Sequence, residues 1–128
     1  MGNSREIITG THIGKGTWRS KGAAVTITGP DTLSYHGPHA VIIAANGDKL
    51  FMSGTGTGTF SPECVTARTA ADECVVNMRI VETWTGGTGR YKGASGTAIS
   101  RSRSELISSD GTTSTFVVRD RLLGTLSY

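Results

Sequence analysis

The sequence predicts an all-β fold, an antiparallel up-and-down β-barrel of about eight strands, built as one domain over residues 1–128. Three observations lead there. Thr, Val and Ile, which suit pleated strands, dominate stretches that alternate apolar and polar residues with a period of two. Turn residues punctuate those stretches, and no stretch carries the periodicity of an amphipathic helix. The 18 glycines follow no Gly-X-Y period, so they mark turns and close backbone approaches rather than collagen. Long strands joined by hairpins favour closure into a barrel, which leaves no exposed edge.

In chain order, Glu6 to Ser20 is strand-like, broken by Gly10, Gly14 and Gly16. Ala23 to Thr28 is a short strand stopped by Gly29-Pro30-Asp31. Thr32 to Tyr35 and His39 to Ala45 read as strands with a kink at His36-Gly37-Pro38. Asn46-Gly47 is the strongest hairpin signal and leads into Lys49 to Phe60, where Gly54, Gly56 and Gly58 alternate with threonines and leave one face bare. Ser61 to Glu73 is a polar loop with a helical turn at Thr66 to Asp72. Cys74 to Thr85 is the clearest strand. A glycine-rich corner follows, then a strand from Gly96 to Ile107, a turn at Ser108 to Gly111, and a last strand from Thr113 to Tyr128.

Parity separates the two faces of each strand. Cys74, Val76, Met78, Ile80, Glu82 and Trp84 form an apolar set containing one carboxylate, and we place it inside. Phe116, Val118, Asp120, Leu122 and Leu126 form another, again with one carboxylate. Between them, Ala98, Ser100, Ser102 and Ser104 face inward and Arg101, Arg103 and Glu105 outward. A carboxylate among apolar neighbours is costly unless paired or protonated, and desolvation raises its pKa into a range useful for acid–base chemistry. The competing reading is structural: each carboxylate lies near a barrel mouth, paired with an arginine or bonded to serines.

Other classes of site find little support. Gly14-Lys15-Gly16-Thr17 lacks the glycine spacing of a phosphate loop, and Gly87-Thr88-Gly89 lacks the third glycine and βαβ setting of a dinucleotide fingerprint. His36 and His39 are three apart, but spacing ties no acid or cysteine to them, so no metal is expected and the pair reads as rim residues. His12 shares parity with Ile8 and Trp18 and is a candidate inward polar group. The net charge of +3 is mild and the basic residues are scattered along the chain, so no nucleic-acid partner is expected. No apolar run has the length of a membrane span, and the first residues lack the apolar core of a signal peptide. This points to a cytoplasmic protein, or a secreted one if a leader has been removed. Cys64 and Cys74 form either a disulfide across the loop between them or buried free thiols.

The segment Gly86-Gly87-Thr88-Gly89-Arg90-Tyr91, followed by Gly93-Ala94 and Gly96, resembles the motif of the allene oxide cyclase and dirigent barrel superfamily. The terminal Gly124-Thr125-Leu126-Ser127-Tyr128 resembles the closing hairpin of that family, and His12-Ile13-Gly14-Lys15 with Ala44 to Leu50 is similar to its small bacterial members. The resemblance implies an eight-stranded calycin-like barrel, a homo-oligomer, with a hydrophobic cavity and no cofactor. It also implies steering of reactive intermediates toward ring closure. The family's catalytic residues do not map onto this chain one by one. Parity instead nominates Glu82 as acid–base or electrostatic group, assisted by Asp120 or His12, with Trp18, Trp84, Met78, Phe116 and Tyr35 shaping a pocket for an apolar, polyketide- or lipid-like molecule. The alternatives are a non-catalytic ligand-binding barrel and a filled barrel serving as an oligomeric structural module.

Overall fold

A computed structural model describes residues 2–10, 14–66, 74–109 and 114–128, with side chains for 14–64, 74–105 and 119–128. The described residues form seven strands: β1 (Gly2–Gly10), β2 (Gly14–Ile27), β3 (Thr32–Ala44), β4 (Lys49–Phe60), β5 (Val75–Gly87), β6 (Thr97–Ser109) and β7 (Ser114–Gly124). They form one sheet in which every strand pairs antiparallel with its neighbours in sequence. A four-residue helix, α1 (Glu63–Thr66), precedes β5, and one 3₁₀ turn, Gly89–Tyr91, follows it.

The all-β, up-and-down architecture therefore follows the sequence reading, but with seven strands rather than eight. No pairing of β1 with β7 occurs among the described residues. The count differs because the expected kink at His36-Gly37-Pro38 does not end a strand. It is an irregularity between Gly37 and Ala40 inside a continuous β3, and a bulge absorbs the proline without breaking the ladder. The breaks expected at Gly10 and Gly14 are where β1 ends and β2 begins, with Gly10 opposite Gly14, whereas β2 runs on through Gly16 and through Lys21-Gly22. The expected helical turn starts earlier, at Glu63, and most of its expected span lies outside the described residues.

The bulges decide which residues share a face. On β3 the core face carries Leu33, Tyr35 and Gly37 before the irregularity, then Ala40, Ile42 and Ala44 after it. On β2, Trp18 and Ser20 stand opposite Ile42 and Ala40, and Val25 and Ile27 opposite Tyr35 and Leu33. Gly22, with φ +73°, sits where the β2 parity changes, a conformation that favours glycine. A one-layer sheet has only its own residues and loops with which to cover a face, yet Ile42, Leu50 and Tyr91 are essentially inaccessible. The sheet must therefore curl so that its core face is covered from within.

Around Tyr91 one end of this face is closed. Ile42, Ala44, Leu50, Met52, Trp84, Tyr91, Ala94 and Ala98 form a continuous core, with Trp18, Ala40 and Leu126 packed against it. The glycine-rich corner makes this possible. Thr88 N–H donates to Lys49 O and Lys49 N–H to Thr88 Oγ1, which pins the corner to the hairpin at Asn46-Gly47. A side chain at Gly87 would collide with Tyr91, so glycine there lets the tyrosine fold inward. The chain after β7 then crosses the same end: Ser95 and Ser127 exchange backbone hydrogen bonds, and Trp84 Nε1 donates to Thr125 O at 2.9 Å. Tyr128 meets Tyr91 edge-to-face. Cys64 and Cys74 form a disulfide that ties α1 to the residue before β5.

Candidate functional site

The register arranges the core face in rows across the sheet. Beyond the closed end comes the row Gly37, Gly54, Glu82, Ala98 and Gly124. The next row is Val25, Tyr35, Gly56, Ile80, Ser100 and Leu122, then Ile27, Leu33, Gly58, Met78, Ser102 and Asp120, and beyond it Phe60, Val76, Ser104 and Val118. The middle of the sheet stays buried from row to row, with Ile80, Ser100, Leu33 and Phe60 as inaccessible as Glu82, and the core face is open at its β2 margin. Glu82 is 6 % exposed, while Val25 and Ile27 are 55 % and 63 % exposed. The core face thus has an aromatic closed end, a carboxylate just above it, and an apolar open margin at β2.

Glu82 reaches its position because β4 offers it no competing side chain. A methyl at Gly54 would land on the Glu82 carboxylate, and a methyl at the neighbouring Gly37 would land on the Tyr35 hydroxyl. The two polar heads therefore lie over one cross-strand glycine pair, Gly37 and Gly54. Burial pushes the Glu82 pKa up to about 7, and the negative charge of Asp120 adds to the effect. Asp120 is itself exposed and accepts a hydrogen bond from Ser100 Oγ at 2.7 Å. Ser102 Oγ, in the row of Asp120, is buried and has no hydrogen-bond partner among the described residues. The cluster can bind a polar group at the bottom of an otherwise apolar surface, and Glu82 can give or take a proton near neutral pH.

Compared with known proteins, the chain matches no family model, no curated protein and no solved structure. Its own geometry must carry the functional reading.

The nominated residues divide into groups. Glu82 and Asp120 share the core face and interact electrostatically. Tyr35 lies beside them, and Met78 lies one row beyond Ile80, away from the closed end. Trp84 and Trp18 belong to the closed-end core, where the Trp84 indole N–H is satisfied by Thr125; they pack there rather than line an open surface. His12 and the side chain of Phe116 lie outside the described residues. Ser100, Ser102, Gly37 and Gly54 were not singled out as site residues. Their signal was present in the inward serine parity and the bare glycine face, but only the register brings them to Glu82.

The sheet also carries two open depressions of about 580 Å³ each, whose linings mix solvent-face residues with core-face ones, Leu33, Met78 and Ser102 in one and Ser20, Ala40 and Met52 in the other. One is bounded by Arg19, Lys21, His39, Val41, Phe51 and Thr85. The other is bounded by threonines, Asn77, Arg79 and Arg101. Neither includes Glu82.

Proposed function

We propose that this chain is a cofactor-independent cyclase or isomerase domain that holds an apolar small molecule on its core face and uses Glu82 for proton transfer or charge stabilisation. The observation that carries the reading is Glu82: a buried carboxyl with its pKa raised to about 7, within electrostatic reach of Asp120 and over the bare Gly54 backbone. A carboxyl poised near neutrality serves as either acid or base. The exposed apolar residues Val25, Ile27 and Leu122 suit the hydrocarbon part of a polyketide- or lipid-like molecule. Its polar end would meet Glu82, Tyr35 and Ser102. Preorganised polar groups and a fixed ligand shape would supply the rate enhancement.

A closed eight-stranded barrel like that of the allene oxide cyclase and dirigent superfamily is the finer architecture of this proposal. In a seven-strand meander β1 and β7 run in the same direction, so antiparallel closure needs an eighth strand between them. Among the described residues β1 and β7 have no partner on their outer sides, and a strand supplied by a second copy of the chain would serve as that eighth strand, which supports a homo-oligomer. The Cys64–Cys74 disulfide supports an oxidising compartment over the cytoplasm.

The test is a conversion assay on a panel of epoxide-, polyene- and polyketone-bearing apolar compounds, comparing the parent chain with Glu82→Gln. Conversion with a pH break near 7, lost in Glu82→Gln while binding persists, supports the proposal. Binding without conversion assigns the domain as a carrier. Absence of binding throughout the panel favours the filled structural module, a reading that the packed Trp18, Trp84 and Tyr91 end also suits.

A further inference from the structure

The arginines are scattered in sequence, but the register gathers them. On the solvent face, Thr57, Arg79, Arg101 and Arg121 stand directly opposite one another across β4 to β7. The next row is Thr59, Asn77, Arg103 and Arg119. Neighbours within a row are about 4.8 Å apart across the sheet and the rows about 7 Å apart. All five arginines are exposed. The acid among their described neighbours is Glu105, which is half-buried and accepts a hydrogen bond from Arg103 Nε at 2.7 Å. Like charges directly opposite on adjacent strands destabilise a sheet, so three arginines in one row are an arrangement that folding alone disfavours.

Beside these rows lies the second of the two depressions. Thr28, Thr32, Thr57 and Thr59 supply hydroxyls, Asn77 an amide, and Arg79 and Arg101 guanidinium groups; Leu33, Gly58, Met78 and Ser102 complete the lining, and none of its residues is acidic. It extends across the sheet from the β2–β3 turn to β6.

We infer that this groove is a binding site for a linear acidic polysaccharide, one whose sugars carry carboxylate or sulfate groups. Guanidinium groups pair with planar or tetrahedral oxyanions through two hydrogen bonds at once, which suits carboxylates and sulfates spaced along a chain. Threonine and asparagine side chains match sugar hydroxyls, and threonine methyls match the C–H faces of the rings. A single-stranded nucleic acid fits less well, because no aromatic ring lines the groove to stack a base. A second copy of this chain would bring its own net positive charge of +3 against the arginines.

The experiment is calorimetric titration of the full chain at 50 mM salt with heparin oligosaccharides and, separately, with oligogalacturonate. Neutral dextran, a single-stranded oligothymidylate and phosphatidylglycerol vesicles serve as competing probes. At least one acidic saccharide should bind, with affinity falling about tenfold or more between 50 and 200 mM salt as counterions are released. Arg101→Ser should weaken binding at least tenfold. Arg19→Ser removes the same charge from the other depression and should change affinity less than twofold. Arg101→Ser should also melt at the same temperature as the parent or a few degrees higher, since it relieves repulsion within the row. Should Arg101→Ser fail to fold, Arg121→Ser provides the same comparison from the outer end of that row. The inference is overturned if neither acidic saccharide binds, if dextran binds equally, if the oligonucleotide or the vesicles bind more tightly, or if the two substitutions weaken binding alike.

Discussion

At the scale of single residues, Glu82 links stability to pH. Its folded pKa of about 7 lies above the ordinary value of 4.5, so the folded state holds the proton more tightly than the unfolded chain. The favourable contribution is complete below about pH 4.5 and is lost as pH rises through 7, a change of at most about 3 kcal/mol. Glu82→Gln should therefore leave the urea midpoint nearly unchanged at pH 4 and raise it at pH 8; parallel pH profiles for the two proteins would rule this out. Asp120→Asn removes the neighbouring charge but keeps an oxygen acceptor for Ser100 Oγ. NMR titration should then find the Glu82 pKa lower than in the parent yet still above 4.5, because burial is the larger cause. The two carboxylates were legible from strand parity alone, since each stood in an apolar set. That they sense each other was not, because the hydrogen-bond register between β5, β6 and β7 sets their separation.

At the scale of elements, β4 depends on its alternating glycines for two separate reasons. A methyl at Gly56 would press on the Arg79 carbonyl oxygen and the Ile80 Cα, both backbone atoms that cannot step aside without opening the β4–β5 ladder. At Gly54 the obstacle is the Glu82 carboxylate, the end of a side chain. Gly56→Ala should therefore cost about 2 kcal/mol in denaturant unfolding. Gly54→Ala should cost less but shift the Glu82 titration; equal losses with an unmoved Glu82 would contradict this account. The bare face of β4 was readable from the Gly-Thr alternation, as was the hairpin at Asn46-Gly47. The continuity of β3 was not, because Gly37-Pro38 is a chain-breaking signal that tertiary pairing overrides through a bulge. The arginine rows escaped a one-dimensional reading for a related reason: Arg79, Arg101 and Arg121 are distant in sequence and meet only in the ladder.

At the scale of the whole molecule, two constraints lie outside the ladders. The Cys64–Cys74 bridge closes a short loop, and loop-closure entropy assigns it about 3 kcal/mol. Replacing both cysteines by serine should lower the melting temperature by several degrees, and reductant should do the same to the parent but not to the variant. Spacing alone left bridge and free thiols equally open, since the loop permits either; the bridge follows from α1 docking beside the start of β5. The second constraint is the odd number of strands among the described residues, in which β1 and β7 each pair on one side. Sedimentation equilibrium should detect a dimer or larger assembly, and a monomer at 100 µM would remove the support that these two strands give to association.

The bond from Trp84 to Thr125 also has a bearing on how the chain is made. Strand pairing is entirely between sequence neighbours, so each hairpin can form as it leaves the ribosome. The aromatic end is different, because Trp84 waits for a carbonyl 41 residues later. At roughly 5–20 residues per second that delay is about 2–8 s. Throughout it the nascent chain carries Trp84 without its acceptor and the closed end without the cover of Leu126 and Tyr128. Those seconds of synthesis are when a holding chaperone would have most to shield, and arrival of Thr125 at the closed end ends them.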